Sequence, residues 1–311
     1  YFRCPRDPAR MKFEYVDTTE GLSRFQVALE QAPSIALDLE AAGFHRYSDR
    51  VCLVQATLPT SGRGGENWIL DPLAIDVVPV LGPVLEDPEV PVLMHGADFD
   101  VRLLRRDFEL RLRGLVDTQI VATLLGEPGI GLAALLEKYH GVKLAKKYQR
   151  ADWAKRPLDH GMLEYAASDT AHLHALTRKL VLQLEQRGRG AWASEEFRLL
   201  ESMEVSVDDD VDPVSRFKRA RGLSLRELER LRVAWRWRDD IARRDDRAPF
   251  RVASDSVLMD VAVDPPRSVD DFADRKGVNG RLARSEGAAL VAALEAVEEL
   301  DEGDIAGFPR Q

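Results

Sequence analysis

Hydrophobic and polar positions along the chain change period several times, and each change marks an element. Leu22, Phe25 and Leu29 recur at helical spacing behind Thr18 and Thr19, either of which can cap, so a helix is predicted to about Leu29 and to stop at Pro33. Residues 35–40 then alternate with period two, Ile35, Leu37 and Leu39 on one face and Ala36, Asp38 and Glu40 on the other. Two further apolar runs follow, 51–57 and 68–70, separated by a Gly- and Pro-rich turn over 59–65. Three strands this close predict an antiparallel meander. A helix over 76–86 is expected in spite of Pro79 and Pro83, then a strand from Val90 to Met94.

After this strand the period is helical to the end. Helices are predicted from 95–100 through Phe108, from the cap at Asp117 through Leu125, and from Gly131 to Tyr139. A long one runs from the cap at Asp159 to about Arg187, and another covers 192–203. Strands alternating with helices point to a mixed α/β sheet. Glu204 to Asp212 is an acidic linker closed by Pro213. Beyond it Ser224 and Glu227 form a capping box for a helix to about Asp240. Its apolar stripe reads Leu225, Leu228, Leu231, Trp235 and Ile241. Helices over 254–261, 268–275 and 280–299 complete the chain. The expected division is a tail over 1–15, a first domain over 16–203, a linker over 204–215, a helical domain over 216–300 and a tail over 301–311.

Composition narrows the class. A chain of 311 residues, 45% hydrophobic and 31% charged, has the core of two ordinary globular domains. The net charge of -9 argues against a surface that binds polyanions everywhere, though not against a local basic groove. Two cysteines, Cys4 and Cys52, form neither a disulfide framework nor a metal-ligand spacing, which fits a reducing, cytoplasmic setting. No apolar run approaches the roughly 20 residues of a membrane span, and Tyr1 to Arg10 lacks the apolar core of a signal peptide.

Candidate chemistry starts at Asp38 and Glu40. Two carboxylates on one strand face repel, and a divalent cation with a preference for hard oxygen ligands, magnesium or manganese, relieves that repulsion. The pair alone also fits an edge strand with its polar face in water. Tyr165 and Asp169, four apart, share one helix face. Between 138 and 156, seven Lys/Arg face only Asp152, interleaved with Tyr139, Tyr148 and Trp153. Such a run is either a solvated face or a nucleic-acid groove in which rings stack on bases and cations meet phosphates. From Arg216 to Arg247 twelve Lys/Arg stand against six Asp/Glu.

Taken together, Asp38-x-Glu40 on a strand, Asp100 at a helix start and Tyr165-x-x-x-Asp169 on a helix resemble the three motifs of the DEDD 3′–5′ exonucleases, in their Tyr subclass. The flanking sequence is similar to the bacterial ribonuclease D group. It includes His45-Arg46-Tyr47, Val51-Cys52-Leu53-Val54-Gln55, Ile69-Leu70-Asp71-Pro72-Leu73, Leu115-Val116-Asp117-Thr118-Gln119, Asp152-Trp153-Ala154-Lys155-Arg156-Pro157-Leu158 and Glu164-Tyr165-Ala166-Ala167-Ser168-Asp169. The likeness covers about 16–200. By length, helix pattern and position, 216–299 is similar to the helicase-and-RNase-D C-terminal (HRDC) module. One departure is Gly96-Ala97, where many of these exonucleases carry Asn.

The resemblance implies a ribonuclease H-like mixed sheet flanked by helices, followed by a small all-α nucleic-acid-binding domain. It implies hydrolysis with two divalent cations, Mg2+ or Mn2+, held by Asp38, Glu40, Asp100 and Asp169. Asp38 would bridge the ions, Glu40 and Asp169 would complete the water-bearing site, and Asp100 would support the other. Tyr165 would orient or deprotonate the attacking water. Because an unperturbed phenol titrates near 10, orientation is the better reading. His95, Lys146, Lys147 and Arg150 are the expected nucleic-acid contacts. The expected substrate is an RNA 3′ end, tRNA precursors foremost. DNA is the rival substrate, and a non-catalytic RNA-binding protein the rival class. Nothing in the sequence calls for a membrane or a protein partner.

Overall fold

The computed structural model describes residues 11–60, 65–145, 147–204 and 211–309. They form two compact units. The first holds the described residues of 1–42 and 49–205, the second those of 43–48 and 206–311.

In chain order the first unit runs β1 (Glu14–Val16), α1 (Thr19–Glu30), β2 (Ile35–Ala41), β3 (Val51–Pro59), β4 (Gly65–Leu70), α2 (Val78–Leu85), β5 (Val92–Met94), α3 (Asp98–Phe108), β6 (Leu115–Asp117), α4 (Thr118–Leu125), α5 (Leu132–His140), α6 (His160–Thr170), α7 (Leu173–Gln186) and α8 (Gly190–Glu201). The six strands lie in the order β1-β4-β3-β2-β5-β6. The expected meander is present, β2 antiparallel to β3 and β3 to β4. β1, β5 and β6 extend it by parallel pairing, which makes the sheet mixed. Strand faces sort as the period predicts. Ile35, Leu37 and Leu39 join Phe25, Leu29 and Leu104 in one core layer, and Ala36 packs on the other face.

Two expectations change and one, the helix through Pro79 and Pro83, holds. β1 and β6 are not predicted from the pattern, and β1 begins inside the stretch read as a tail. Each has three residues, too few to display a period, and its partners are far away in sequence. The helix expected over 159–187 is two helices, α6 and α7, parted at Ala171 and His172. No Gly or Pro marks that break. α6 lies across β2, β3 and β4, whereas α7 packs against α4, so the chain must turn between two packing partners. In α2, Pro79 occupies the first turn, where its missing N–H has no partner to lose.

The second unit holds α9 (Leu225–Arg244), α10 (Pro249–Val252), α11 (Asp255–Val263), α12 (Val269–Ala273) and α13 (Gly280–Glu298). The capping box at Ser224 and Glu227 is formed as predicted. The apolar stripe of α9 is rotated from the predicted one. Trp237 enters the core edge-on to Phe272 at 5.7 Å and donates its indole N–H to the Glu286 carbonyl at 3.0 Å, while Leu225 is exposed. The six residues 43–48 fold with these helices. The Tyr47 hydroxyl donates to Asp239 Oδ1 at 2.9 Å, and Arg251 Nε donates to the Phe44 carbonyl at 2.8 Å. Among the described residues no helix is long and apolar enough to cross a membrane.

Candidate active site

The site is assembled by one strand, one helix start and one helix face. On β2 the polar face carries Asp38 opposite Gln55 and Glu40 opposite Leu53. The ladder slips between Glu40 and Ala41. α6 crosses this face. Its inward residues Ala166 and Ala167 are small and fully buried against Leu53 and Ile69, which lets the helix approach closely. The Thr170 hydroxyl meets the Thr57 hydroxyl at 2.8 Å, fixing the helix along its axis, and Asp159 caps the first turn by accepting from the Met162 amide at 2.8 Å. Tyr165 and Asp169 are thereby set over the strand acids. Carboxylate oxygens of Asp38, Glu40 and Asp169 lie within 4.8 Å of one another.

Asp100 stands beside this group. It is 8% exposed, in the first turn of α3, and its charge acts on Glu40 as that of Asp38 acts on it. Its position depends on Asp117. This buried carboxylate accepts from the amides of Gly96 (3.0 Å), Ala97 (2.7 Å) and Gln119 (2.7 Å), so one side chain ties the start of α3 to the start of α4. The cap of Asp117 on α4 is the expected one, and its hold on Gly96 and Ala97 is not. Gly96 has φ +70, and a Cβ there would meet Gln119 Oε1 at 3.2 Å. The departure at Gly96-Ala97 therefore belongs to a left-handed turn that Asn fills less readily than Gly.

The electrostatics are those of uncompensated acids. Burial pushes Asp38 up to about 7. Burial, then the charge of Asp38, pushes Asp169 up to about 8. Glu40 and Asp100 are raised well above the usual carboxylate range, first by burial and then by neighbouring acids. Such a cluster ionises fully only around cations, and convergent hard oxygens suit divalent ones. The residues present therefore fit a metal centre. The Tyr165 hydroxyl bonds to Asp169 and is raised by burial and then by Asp169, Glu40 and Asp38, so at neutral pH it is a proton donor.

The wall around Tyr165 is built by 148–156. Tyr148 packs edge-on to it and Trp153 at a tilt, each with 6.1 Å between centroids. This segment is pinned by Arg156, whose guanidinium grips Asp71 (2% exposed) through two bonds of 2.6 and 2.7 Å and donates to the Cys52 carbonyl at 2.8 Å. Arg156 thus belongs to the structure of the site rather than to a solvated basic face.

The expected nucleic-acid contacts separate. Lys147 is exposed, with its ammonium 3.0 Å from the Tyr148 hydroxyl, and Arg150 is exposed on the same segment. Lys146 lies outside the described residues. His95 is half-buried. Its Nδ1 is 2.8 Å from Thr118 Oγ1, which itself donates to the Met94 carbonyl, so Nδ1 carries the proton. Nε2 offers a lone pair that has no partner among the described residues. Leu93 pairs with Ala36, and His95 follows directly on the end of β5, the strand beside β2.

Residues 13–185 match the protein-family model described as a 3'-5' exonuclease, and residues 227–294 that of the HRDC domain. Ribonuclease D of Escherichia coli (strain K12) is 31% identical over 94% of this chain and 76% of its own length. Exosome complex component 10 of Homo sapiens is 28% identical over 81% of this chain and 29% of its own. The crystal structure of Escherichia coli RNase D, described as an exoribonuclease involved in structured RNA processing, superimposes with a TM-score of 0.72 at 30% identity, covering 95% of this chain and 78% of that one.

Proposed function

The chain belongs to the ribonuclease D group of 3′–5′ exonucleases, and from that premise we propose how its own residues divide the work. It is a metal-dependent 3′–5′ exoribonuclease. Our reading is that Asp38, Glu40 and Asp169 hold one divalent cation, that Asp38 with Asp100 holds a second, and that magnesium or manganese fills both. Convergence of three half-buried carboxylates within 4.8 Å, with a fourth, buried acid beside them, carries this reading. When bound, such a pair of ions activates water and stabilises the leaving 3′ oxygen.

The protein's own groups supply position. Tyr165 hydrogen-bonds Asp169 and orients the attacking water. Tyr148 and Trp153 hold its ring in place. Lys147 and Arg150, and Lys146 by its place in the sequence, meet the backbone phosphates of the entering strand, and the buried Nε2 of His95 reaches a nucleotide only if the site opens around it. In the helical unit, Arg216, Lys218, Arg219 and Arg221 are exposed and supply a second grip on RNA. The substrate is a structured RNA with a free 3′ end, tRNA precursors foremost.

The test uses one tRNA precursor with a 3′ trailer, bearing either a free or a phosphate-blocked 3′ end, and a DNA strand of the trailer sequence. In magnesium the free RNA end should release nucleoside monophosphates, and the blocked end and the chelated reaction should release none. Internal cuts, or DNA consumed faster than RNA, would overturn the reading.

A further inference from the structure

Gln55 has no part in the roles assigned so far. It sits in the middle of β3, 0% exposed, and neither its Nε2 nor its Oε1 has a hydrogen-bond partner among the described residues. Leaving a buried amide unsatisfied destabilises the fold, a cost that an apolar residue of the same size would avoid. Its surroundings are specific. Across the sheet it pairs with Asp38 on one side and Ile69 on the other, and cross-strand pairs share a face with Cβ atoms about 4.5–5.5 Å apart. Along β3 the next residues on that face are Leu53, which is apolar, and Thr57, whose hydroxyl is already engaged by Asn67 and Thr170. Over it lies α6, which turns Ala166, Ala167 and Thr170 inward. Its polar cross-strand neighbour is Asp38.

We propose that Gln55 is a positioning residue for the cation-binding acids: its amide, unpartnered among the described residues, turns to donate from Nε2 to the ionised Asp38 once cations are bound, fixing which carboxylate oxygen faces them. The amide has the complementary chemistry, two N–H donors against the lone pairs of an ionised carboxylate. Its setting on a central strand, buried on both faces, gives it the rigidity that orienting a ligand needs. This rests on Asp38 being a cation ligand.

Gln55→Met keeps the volume and removes both polar atoms. Magnesium is titrated calorimetrically into the full chain without RNA. Outer partners of metal ligands are typically worth about 10–100-fold in affinity, and a loss of that size is expected for Gln55→Met. The melting temperature in chelator should be equal or higher, because an orphaned amide has gone. On RNA the loss should fall on kcat with KM little changed, since Gln55 is sealed from substrate. Magnesium affinity within twofold of the parent would overturn the proposal. Should Gln55→Met not fold, Gln55→Glu retains the shape and replaces the donor by an acceptor. Weaker magnesium binding is expected there, and equal or tighter binding overturns the proposal. Asp38→Asn separates the two levels. If it too binds magnesium like the parent, the assignment of Asp38 has failed; if it loses binding while Gln55→Met does not, only the role of Gln55 has.

Discussion

The two units treat charge in opposite ways. The sheet unit gathers Asp38, Glu40, Asp100 and Asp169 into one largely desolvated place where the charges they meet are those of other acids. The helical unit is rich in arginine, and most of α9's arginines have a partner within that unit. Arg232 binds Asp212 and Glu229 at 2.7 and 3.1 Å, Arg230 binds Glu298, Arg238 binds Asp255 at 2.6 Å and Arg244 binds Glu286 at 2.8 Å. Arg226 donates to the carbonyls of Val297 and Glu298. Counted along the sequence, both regions read as charge-bearing surfaces. In three dimensions the acids are held apart from compensation and the arginines are consumed by it. A charge with its partner already present stabilises the fold and is closed to a ligand, whereas a buried charge without one is a demand that a ligand can meet.

The comparison breaks first at the acids. Asp38→Ala and Asp169→Ala should each lower hydrolysis of RNA by at least about 10²–10³-fold, the loss seen when a main electrostatic stabiliser is removed. They should also stabilise the protein in chelator. The folded-state values of about 7 and 8 for Asp38 and Asp169 lie above those of the unfolded chain. The proton-linked stability is therefore complete below about pH 4 and is lost as pH rises through 7 to 8. The gap in melting temperature between either variant and the parent should widen from pH 5 to pH 8 and close when magnesium is added to the parent. A gap that stays flat with pH would mean the acids are not straining the apo fold, and retained turnover would remove them from the chemistry.

Tyr165→Phe tests the same site without touching its charge. Removal of an orienting hydroxyl should cost about 10²–10⁴-fold at the chemical step. Magnesium affinity should stay near the parent value. A single-turnover rate equal to the parent's would leave Tyr165 with only a packing role between Tyr148 and Trp153.

How much of this is legible in the sequence follows from the range of each interaction. Asp38 with Glu40, and Tyr165 with Asp169, are legible because period two and an i,i+4 spacing state which side chains share a face. Ser224 with Glu227 is legible for the same local reason. The bond of Asp117 to Gly96 and Ala97 spans about twenty residues, and that of Arg156 to Asp71 spans 85. No spacing announces such pairs, so the sequence groups Arg156 with a basic face it does not join. The arginines of α9 mislead in the same way, since their acids sit on other segments. Trp235 and Trp237 are two apart on α9, about 200° around the helix, and the one that enters the core, Trp237, is the one that meets Phe272 across the unit.

Arg232→Met sharpens the other half of the comparison. The side chain is nearly buried, bonded to Asp212 and Glu229 and also to the carbonyls of Ala306 and Gly307. Breaking a buried pair strands its acids, typically at about 3–5 kcal/mol, and the partial exposure of Asp212 places this case at the lower end. Differential scanning calorimetry should show an earlier transition for the helical unit, while cleavage of a short single strand at temperatures below it should be unchanged. An unchanged melting profile would mean that the arginine is free to serve RNA after all.

The smallest effect is expected where the helical unit keeps its charges open. Arg216, Lys218, Arg219 and Arg221 are exposed on the two short turns before α9. Arg216 lies over the Trp235 ring at 5.9 Å and Arg221 over that of Phe308 at 5.7 Å. Rings held beside cations in this way suit a nucleic-acid strand better than the paired arginines of α9 do. Replacing Lys218, Arg219 and Arg221 together by Ala should leave melting and short-strand cleavage near the parent, because no acid is stranded. Binding to a tRNA precursor should weaken modestly. The slope of log affinity against log salt should become shallower by about 0.7–0.9 for each phosphate that is no longer neutralised. Titrations at four salt concentrations, with Arg230→Met as the paired-arginine control, decide the matter. A slope change confined to the control would assign the grip to α9 and cancel the distinction between open and consumed charge, whereas a change confined to the triple variant places it on the exposed turns.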